Sequence, residues 1–288
     1  MLKRIIVLLT ALLLALSAAG AAAEENTQVR HYLLLGEDGY ASDVVDDART
    51  DTIVVLSLDE KYNRVIMTSI LRDSIIETPK GYETKINLLY RYFGFDGISE
   101  SIGRELGIQI EGCVLVNFEN VKPAIDALGG VDLTIDENEY ISIRKILLGK
   151  DPNMPKGPGY VHMTGRIALA YMRDRKSGSG DFSRTERQRK VVSQLFAKCR
   201  DLSLMELVGI YNQVSPGMKM SLSVPAILGV LRSGYTLLQN NADFVEFRVP
   251  QDGTYSYSSL NGGSALNVRW RTNRERFHAL LDEEPEEK

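Results

Sequence analysis

Apolar and polar positions along this chain fall into blocks whose period changes several times. Residues 32–35 form a short apolar run closed by Gly36, and residues 52–58 (TIVVLSL) are rich in β-branched side chains. Residues 64–70 (RVIMTSI) and 113–118 repeat the theme, and 244–249 do so again near the end. Such runs predict strands, buried on both faces where the apolar stretch is continuous. The polar link of residues 59–63 predicts a hairpin joining 52–58 to 64–70.

Helical periodicity occupies the intervals. Residues 98–106 follow a turn predicted at 93–97, and residues 121–128 stop at Gly129-Gly130. Residues 163–172 carry a helical apolar pattern, and Ser183-x-x-Glu186 reads as a capping box that opens a helix to about Cys199. Further helices are predicted at 204–211, 224–239 and 274–281. Strands interleaved with helices, without a repeat or a long Gly- or Pro-rich linker, predict one α/β domain of roughly 250 residues. It spans 31–281, after a short linker at 24–30 and before an acidic tail at 282–288.

The first 23 residues differ. Lys3 and Arg4 precede a twelve-residue apolar core, 5–16, broken only by Thr10, and small residues follow up to Ala23. This is a secretory signal with Ala21-x-Ala23 as the cleavage site, or an uncleaved membrane anchor. Either reading exports the remainder to the extracytoplasmic side, at the outer face of the cytoplasmic membrane.

Composition then narrows the function classes. The 288 residues are 44% apolar and 25% charged, with a formal charge of -4. Loss of Lys3 and Arg4 makes the exported remainder more negative still. An acidic exported chain excludes non-specific nucleic-acid binding and argues against a transcriptional regulator. Cys113 and Cys199 read as two free thiols, Cys113 inside an apolar run.

Against that acidic background, Arg173, Arg175, Arg184, Arg187 and Arg189 fall within seventeen residues around a Lys-Ser-Gly-Ser-Gly loop. Guanidinium grips phosphate oxygens two at a time, so the cluster suits a compact phosphate site. If residues 171–175 are extended, Arg173 and Arg175 share one side. Arg184, as the first residue of the capped helix, stacks with Arg187 and Gln188 at an anion-favouring N-terminus. The alternative is a solvated face paired with Asp174, Asp181 and Glu186.

Other chemistry sits at strand ends. Asp38 ends the first strand and Arg49-Thr50-Asp51-Thr52 opens the second, at an edge where open α/β sheets bind ligands. Asp38 and Asp51 there suit a hard divalent ion, or else merely serve a turn and a strand entry. Arg72, just past the third strand, reaches the same edge or pairs with Asp73 or Glu77. Lys85 adds a cation on the following loop.

Together these pieces resemble the LytR-CpsA-Psr (LCP) family. The match comprises Leu33-Leu34-Leu35-Gly36-Glu37-Asp38, Arg49-Thr50-Asp51-Thr52, Ser69-Ile70-Leu71-Arg72-Asp73 and Lys85-Ile86-Asn87. It continues with Asp126-Ala127-Leu128-Gly129-Gly130-Val131, with residues 165–175 (GRIALAYMRDR) and with residues 181–188 (DFSRTERQ). The resemblance implies a single-domain three-layer α-β-α fold with a mixed central sheet flanked by helices. It implies a phosphotransferase that moves a glycopolymer, such as wall teichoic acid or capsule, from a polyprenyl-pyrophosphate lipid to peptidoglycan.

By the same resemblance, Asp38 and Asp51 hold Mg²⁺ (or Mn²⁺). Arg49, Arg72, Arg173, Arg175, Arg184 and Gln188 bind pyrophosphate, and Asp181 and Lys85 support them. Asp73 orients or deprotonates the acceptor hydroxyl, and Arg187 and Arg189 take surface or support roles. Other uses of one such site are a lipid-binding scaffold without turnover and a pyrophosphatase acting on the same lipid. One departure stands out: Leu71 replaces the family's proline, which loosens the backbone that aims Arg72.

Overall fold

The computed structural model describes residues 29–37, 50–174, 176–178, 180–215 and 218–284. The chain begins with β1 (Arg30–Glu37), β2 (Thr50–Asp59) and β3 (Arg64–Ile70), then a small hairpin of β4 (Ile75–Glu77) and β5 (Glu83–Lys85). Next come α1 (Leu89–Leu106), β6 (Ile110–Asn117), α2 (Phe118–Ala127), β7 (Val131–Ile135), α3 (Glu137–Ile146) and β8 (Gly159–Met163). The arginine-rich stretch supplies α4 (Gly165–Arg173) and α5 (Asp181–Cys199). After it follow α6 (Leu204–Val214), β9 (Met218–Met220), α7 (Val224–Gln239), β10 (Asp243–Val249), β11 (Tyr255–Leu260), β12 (Gly263–Val268) and α8 (Trp270–Asp282).

Six strands form one sheet in the order β10-β3-β2-β1-β6-β9. The predicted hairpin is present, with β2 antiparallel to both β1 and β3. The β1–β6 and β10–β3 pairs are parallel, so the sheet is mixed. Alternation along the strands builds a core on each face. Leu33, Leu35, Ile53 and Val55 pack with Ile98, Ile102 and Leu106 of α1 and Phe277 of α8. Tyr32 and Leu58 face the other way, onto Leu237 of α7 and Phe196 of α5. The result is the expected α-β-α layering. A third cluster outside the sheet joins Val131, Leu133 and Ile143 to Ile167 and Tyr171 of α4 and Val191 of α5. This last core seats the arginine-rich stretch.

The turn predicted at 93–97 is present as a break in helical geometry at Gly94, φ 63°, which divides α1. One expectation fails locally. The α5 helix opens at Asp181 rather than at Ser183, because Gly180 at φ 66° serves as its N-cap without a side-chain hydrogen bond. The Ser183–Glu186 capping box therefore does not form. Capping boxes do form at Asp136–Glu139 and Ser203–Glu206.

The central strand runs between two unlike ends of the sheet. His31 pairs with Ser57 at one end, and Gly36 and Glu37 pair with Thr52 and Thr50 at the other. The eight residues of β1 separate the two ends by roughly 25 Å at about 3.3 Å per residue. At the His31 end, Arg64 donates to Asp59 at 2.7 Å and to the Leu281 and Glu283 carbonyls at 2.7 and 3.0 Å. His31 bonds Ser57 at 2.8 Å, and burial lowers its pKa to about 4. No helix among the described residues is long and apolar enough to cross a membrane.

Candidate functional site

The candidate site is built at the Glu37 end of the sheet, around Asp51. Its Oδ2 accepts a hydrogen bond from Arg72 Nη1 at 2.7 Å and lies 3.5 Å from Arg184 Nη1. Arg184 Nη2 also donates to the Asp51 carbonyl at 2.9 Å. One aspartate thus gathers arginines that lie 21 and 133 positions away in sequence.

Local backbone structure explains how each side chain arrives. Leu71 donates its amide hydrogen to the Val249 carbonyl at 2.8 Å, and its side chain is buried. Proline has no such hydrogen to give. Leucine therefore ties the approach to Arg72 to β10 by a bond that proline could not make. The Asn87 amide donates to the Arg72 carbonyl at 3.3 Å, and Thr50 Oγ1 donates to the Asn87 carbonyl at 3.4 Å. These bonds tie the 50–52, 71–73 and 85–87 segments together. Asp73 accepts from Lys85 Nζ at 3.0 Å and sits 3.6 Å from Arg72 Nε.

Arg184 is 2% exposed, and Gln188, one turn later on α5, is also buried. The Arg184 amide already bonds the Gly180 carbonyl, so Arg184 stands in the first turn and is not the first helical residue. Arg173 is the last residue of α4, and the chain becomes extended only at Asp174. This corrects the expected extended course from Tyr171, since the apolar face of α4 stays buried through Met172. Gly165 lets α4 approach α2: a Cβ there would lie 2.4 Å from the Lys122 carbonyl oxygen. Its amide donates to Asp126 Oδ1 at 2.7 Å, so the two motifs that carry these residues meet at a helix start.

Arg187 has a separate role. It is 3% exposed and donates to Glu139 Oε1 at 2.8 Å, to the Asp174 carbonyl at 2.9 Å and to Ser177 Oγ at 2.5 Å. Its Nη1 lies 3.6 Å from Asp174 Oδ2. Asp174 also accepts from Ser142 at 2.6 Å, from the Lys176 amide at 2.8 Å and from Ser177. Burial raises the Asp174 carboxyl pKa, but these hydrogen bonds and Arg187 outweigh it and hold the group below its ordinary value. Arg189 pairs with Glu246 at 2.9 Å. Both arginines thus support the fold, and Arg187 does so from the interior. Glu139 and Ser142 of α3 were not read from the sequence, although Asp136-x-x-Glu139 spells the capping box that fixes Glu139.

Two concavities flank these groups. One, of about 820 Å³, is lined by Arg173 and Asp174, by α3 and by the loop after α4. The other is an apolar groove of about 460 Å³ walled by Val116, Val121, Leu207, Tyr211, Val230 and Leu238. Val116 and Thr52 pair with opposite sides of Gly36. Two interstrand steps of about 4.8 Å put the groove's Val116 roughly 10 Å from the start of β2.

The expected site residues therefore divide four ways. Asp51, Arg72 and Arg184 meet directly, Asp73 and Lys85 adjoin them, and Arg173 and Gln188 lie on the flanking helices. Asp38, Arg49 and Arg175 lie outside the described residues, as does the side chain of Asp181. Among the described residues no three acidic, histidine or cysteine side chains cluster as a metal cage. Mg²⁺ does not require one, because it is commonly held by one or two carboxylates with substrate phosphates and waters. Asp51 supplies one carboxylate of that kind, which Mg²⁺ would share with Arg72 and Arg184.

Comparison with known proteins agrees with this architecture. A family model described as the LytR_cpsA_psr family matches residues 16–274. The polyisoprenyl-teichoic acid–peptidoglycan teichoic acid transferase TagU of Bacillus mycoides (strain KBAB4) is 31% identical over 224 residues, 77% of this chain and 68% of that protein. TagV of Bacillus subtilis (strain 168), which carries the same transferase description, is 29% identical over 71% of this chain and 53% of its own length. The solved structure of TagT bound to LIIa-WTA superposes with a TM-score of 0.71, covering 91% of this chain and 92% of that one. At 23% identity that likeness speaks for the fold.

Proposed function

This chain belongs to the LytR-CpsA-Psr family, and on that premise we propose that it is a cell-envelope phosphotransferase. In this reading it transfers a glycan phosphate from a polyprenyl-pyrophosphate lipid to peptidoglycan, outside the cytoplasm. The observation that carries the reading is the convergence of Arg72 and Arg184 on Asp51 at the sheet edge. Relatives described as teichoic acid transferases support the reaction class.

The chemistry asks mainly for positioning and charge neutralisation. An acceptor hydroxyl oxygen attacks the phosphorus that bears the glycan. The bond from that phosphorus to the bridging oxygen breaks, polyprenyl phosphate leaves, and a phosphodiester to the acceptor remains. Arg72, Arg173 and Arg184, with Arg49, Arg175 and Gln188, bind the non-bridging oxygens. Asp73, held by Lys85, orients the acceptor hydroxyl and takes its proton. Asp51 with Asp38 would hold Mg²⁺, which supplies further neutralisation of phosphate charge when bound. The polyprenyl tail occupies the apolar groove at Val116 and Leu207, since isoprenoid chains seek such walls.

The test is release of polyprenyl phosphate by the purified full chain from a polyprenyl-pyrophosphoryl glycan, with and without peptidoglycan strands. Acceptor-dependent, Mg²⁺-dependent release is expected. Equal release without acceptor replaces transfer by hydrolysis, and no release under either condition ends the enzymatic reading.

A further inference from the structure

The cavity of about 820 Å³ beside Arg173 has a lining that the phosphate chemistry leaves unused. Its α3 wall presents Asn138, Ile141, Lys145 and Ile146, and its loop wall presents Lys176. Ile141 and Ile146 are among the exposed large apolar side chains of the chain. None of the four α3 residues falls within the seven motif segments.

The electrostatics favour an anion. Among the described residues, Asp174 is the acidic residue of the lining, and it is 1% exposed. Its carboxylate is engaged by Ser142, Ser177, the Lys176 amide and Arg187. Arg173, Lys145 and Lys176 are the cations of the same lining. The Asn138 amide and the aliphatic faces of Ile141 and Ile146, beside cations, fit a sugar ring carrying a negative charge.

We propose that this cavity seats an anionic saccharide unit of the donor, next to its pyrophosphate, and that Lys145 and Lys176 select for the charge. The proposal rests on the function proposed above, because Arg173 then marks where the donor's first sugars leave the reacting phosphate.

Two synthetic polyprenyl-pyrophosphoryl oligosaccharides of equal length test it, one with a carboxylate on its second sugar and one neutral. The full chain should favour the charged donor in kcat/KM by about tenfold at low salt, the scale of two modest charge contacts. In the K145Q/K176Q double variant that ratio should fall to within about twofold. A wild-type ratio near one overturns the proposal, as does a preference that survives the double substitution. So does a charge preference that appears only when the acceptor is varied.

A second arm separates this from failure of the function itself. The lipid-free charged oligosaccharide is titrated calorimetrically into the full chain and into the double variant. Weaker binding to the double variant than to wild type supports the cavity even if neither donor is turned over. Equal binding to both, or none to wild type, overturns it.

Discussion

Arg184 and Arg187 leave one helix three residues apart, and both are almost wholly buried, yet they enter opposite electrical neighbourhoods. Arg187 meets two carboxylates, Glu139 and Asp174, with a carbonyl and a hydroxyl completing its donors. On the other side, Arg184 shares the carboxylate of Asp51 with Arg72. The first arrangement is closed around its cation. In the second, Arg72 and Arg184 converge on Asp51 at the sheet edge, with Asp73 3.6 Å from Arg72, where we propose that phosphate binds. Burial alone does not tell the two arginines apart; the groups they meet do.

The most severe way to break this comparison is Arg187→Met. It strands two buried carboxylates, and stability should fall by about 3–5 kcal/mol, read from urea unfolding. A loss below about 1 kcal/mol, the scale of a surface pair, would show that Arg187 is not the closed partner described here. Arg72→Ala should do the reverse. Transfer should drop by about 10²–10³-fold, as when one preorganised charge donor is lost, while stability changes by about 1 kcal/mol or less. Unchanged turnover would remove Arg72 from the site.

A smaller effect follows from acid. Asp174 has a lowered folded pKa, so the unfolded chain takes its proton first as pH falls. The stability it confers is present above the ordinary carboxylate value and is lost as pH drops through the lowered one. Asp174→Asn should flatten that limb of the unfolding curve relative to wild type, and parallel limbs would refute the assignment. His31 acts in a separate window, shared by both proteins. Its folded pKa of about 4 lies below its ordinary 6.5, so stability declines between those values as pH falls.

These contrasts also mark what the sequence made legible. Strands β1, β2, β3, β6 and β10 announce themselves by apolar runs rich in branched and aromatic side chains, buried along the whole of β3. By contrast, β11 is mostly exposed and β9 has three residues, so neither leaves a periodic trace. Ser183-x-x-Glu186 spells a cap that Gly180 pre-empts by turning the chain into the helix earlier. Leu71 gains a hydrogen bond to a strand far along the chain, at Val249, which no local reading of a missing proline can foresee. The motif order placed Asp51 near Arg72 and Arg184, but the partition between Arg184 and Arg187 depends on α3, a helix the apolar pattern did not reveal.

The direction of β1 has a practical consequence. The strand enters the sheet at Arg30 and delivers its last residue, Glu37, to the end where Thr50 and Asp51 open β2. A handle joined at residue 29, whether bead, dye or lipid, therefore holds the protein by its heel. The working face points away by roughly 25 Å, the length of the strand. An immobilised enzyme of this orientation leaves its substrates' approach open, and any surface that carries both handle and substrate must let the protein lie over on its side.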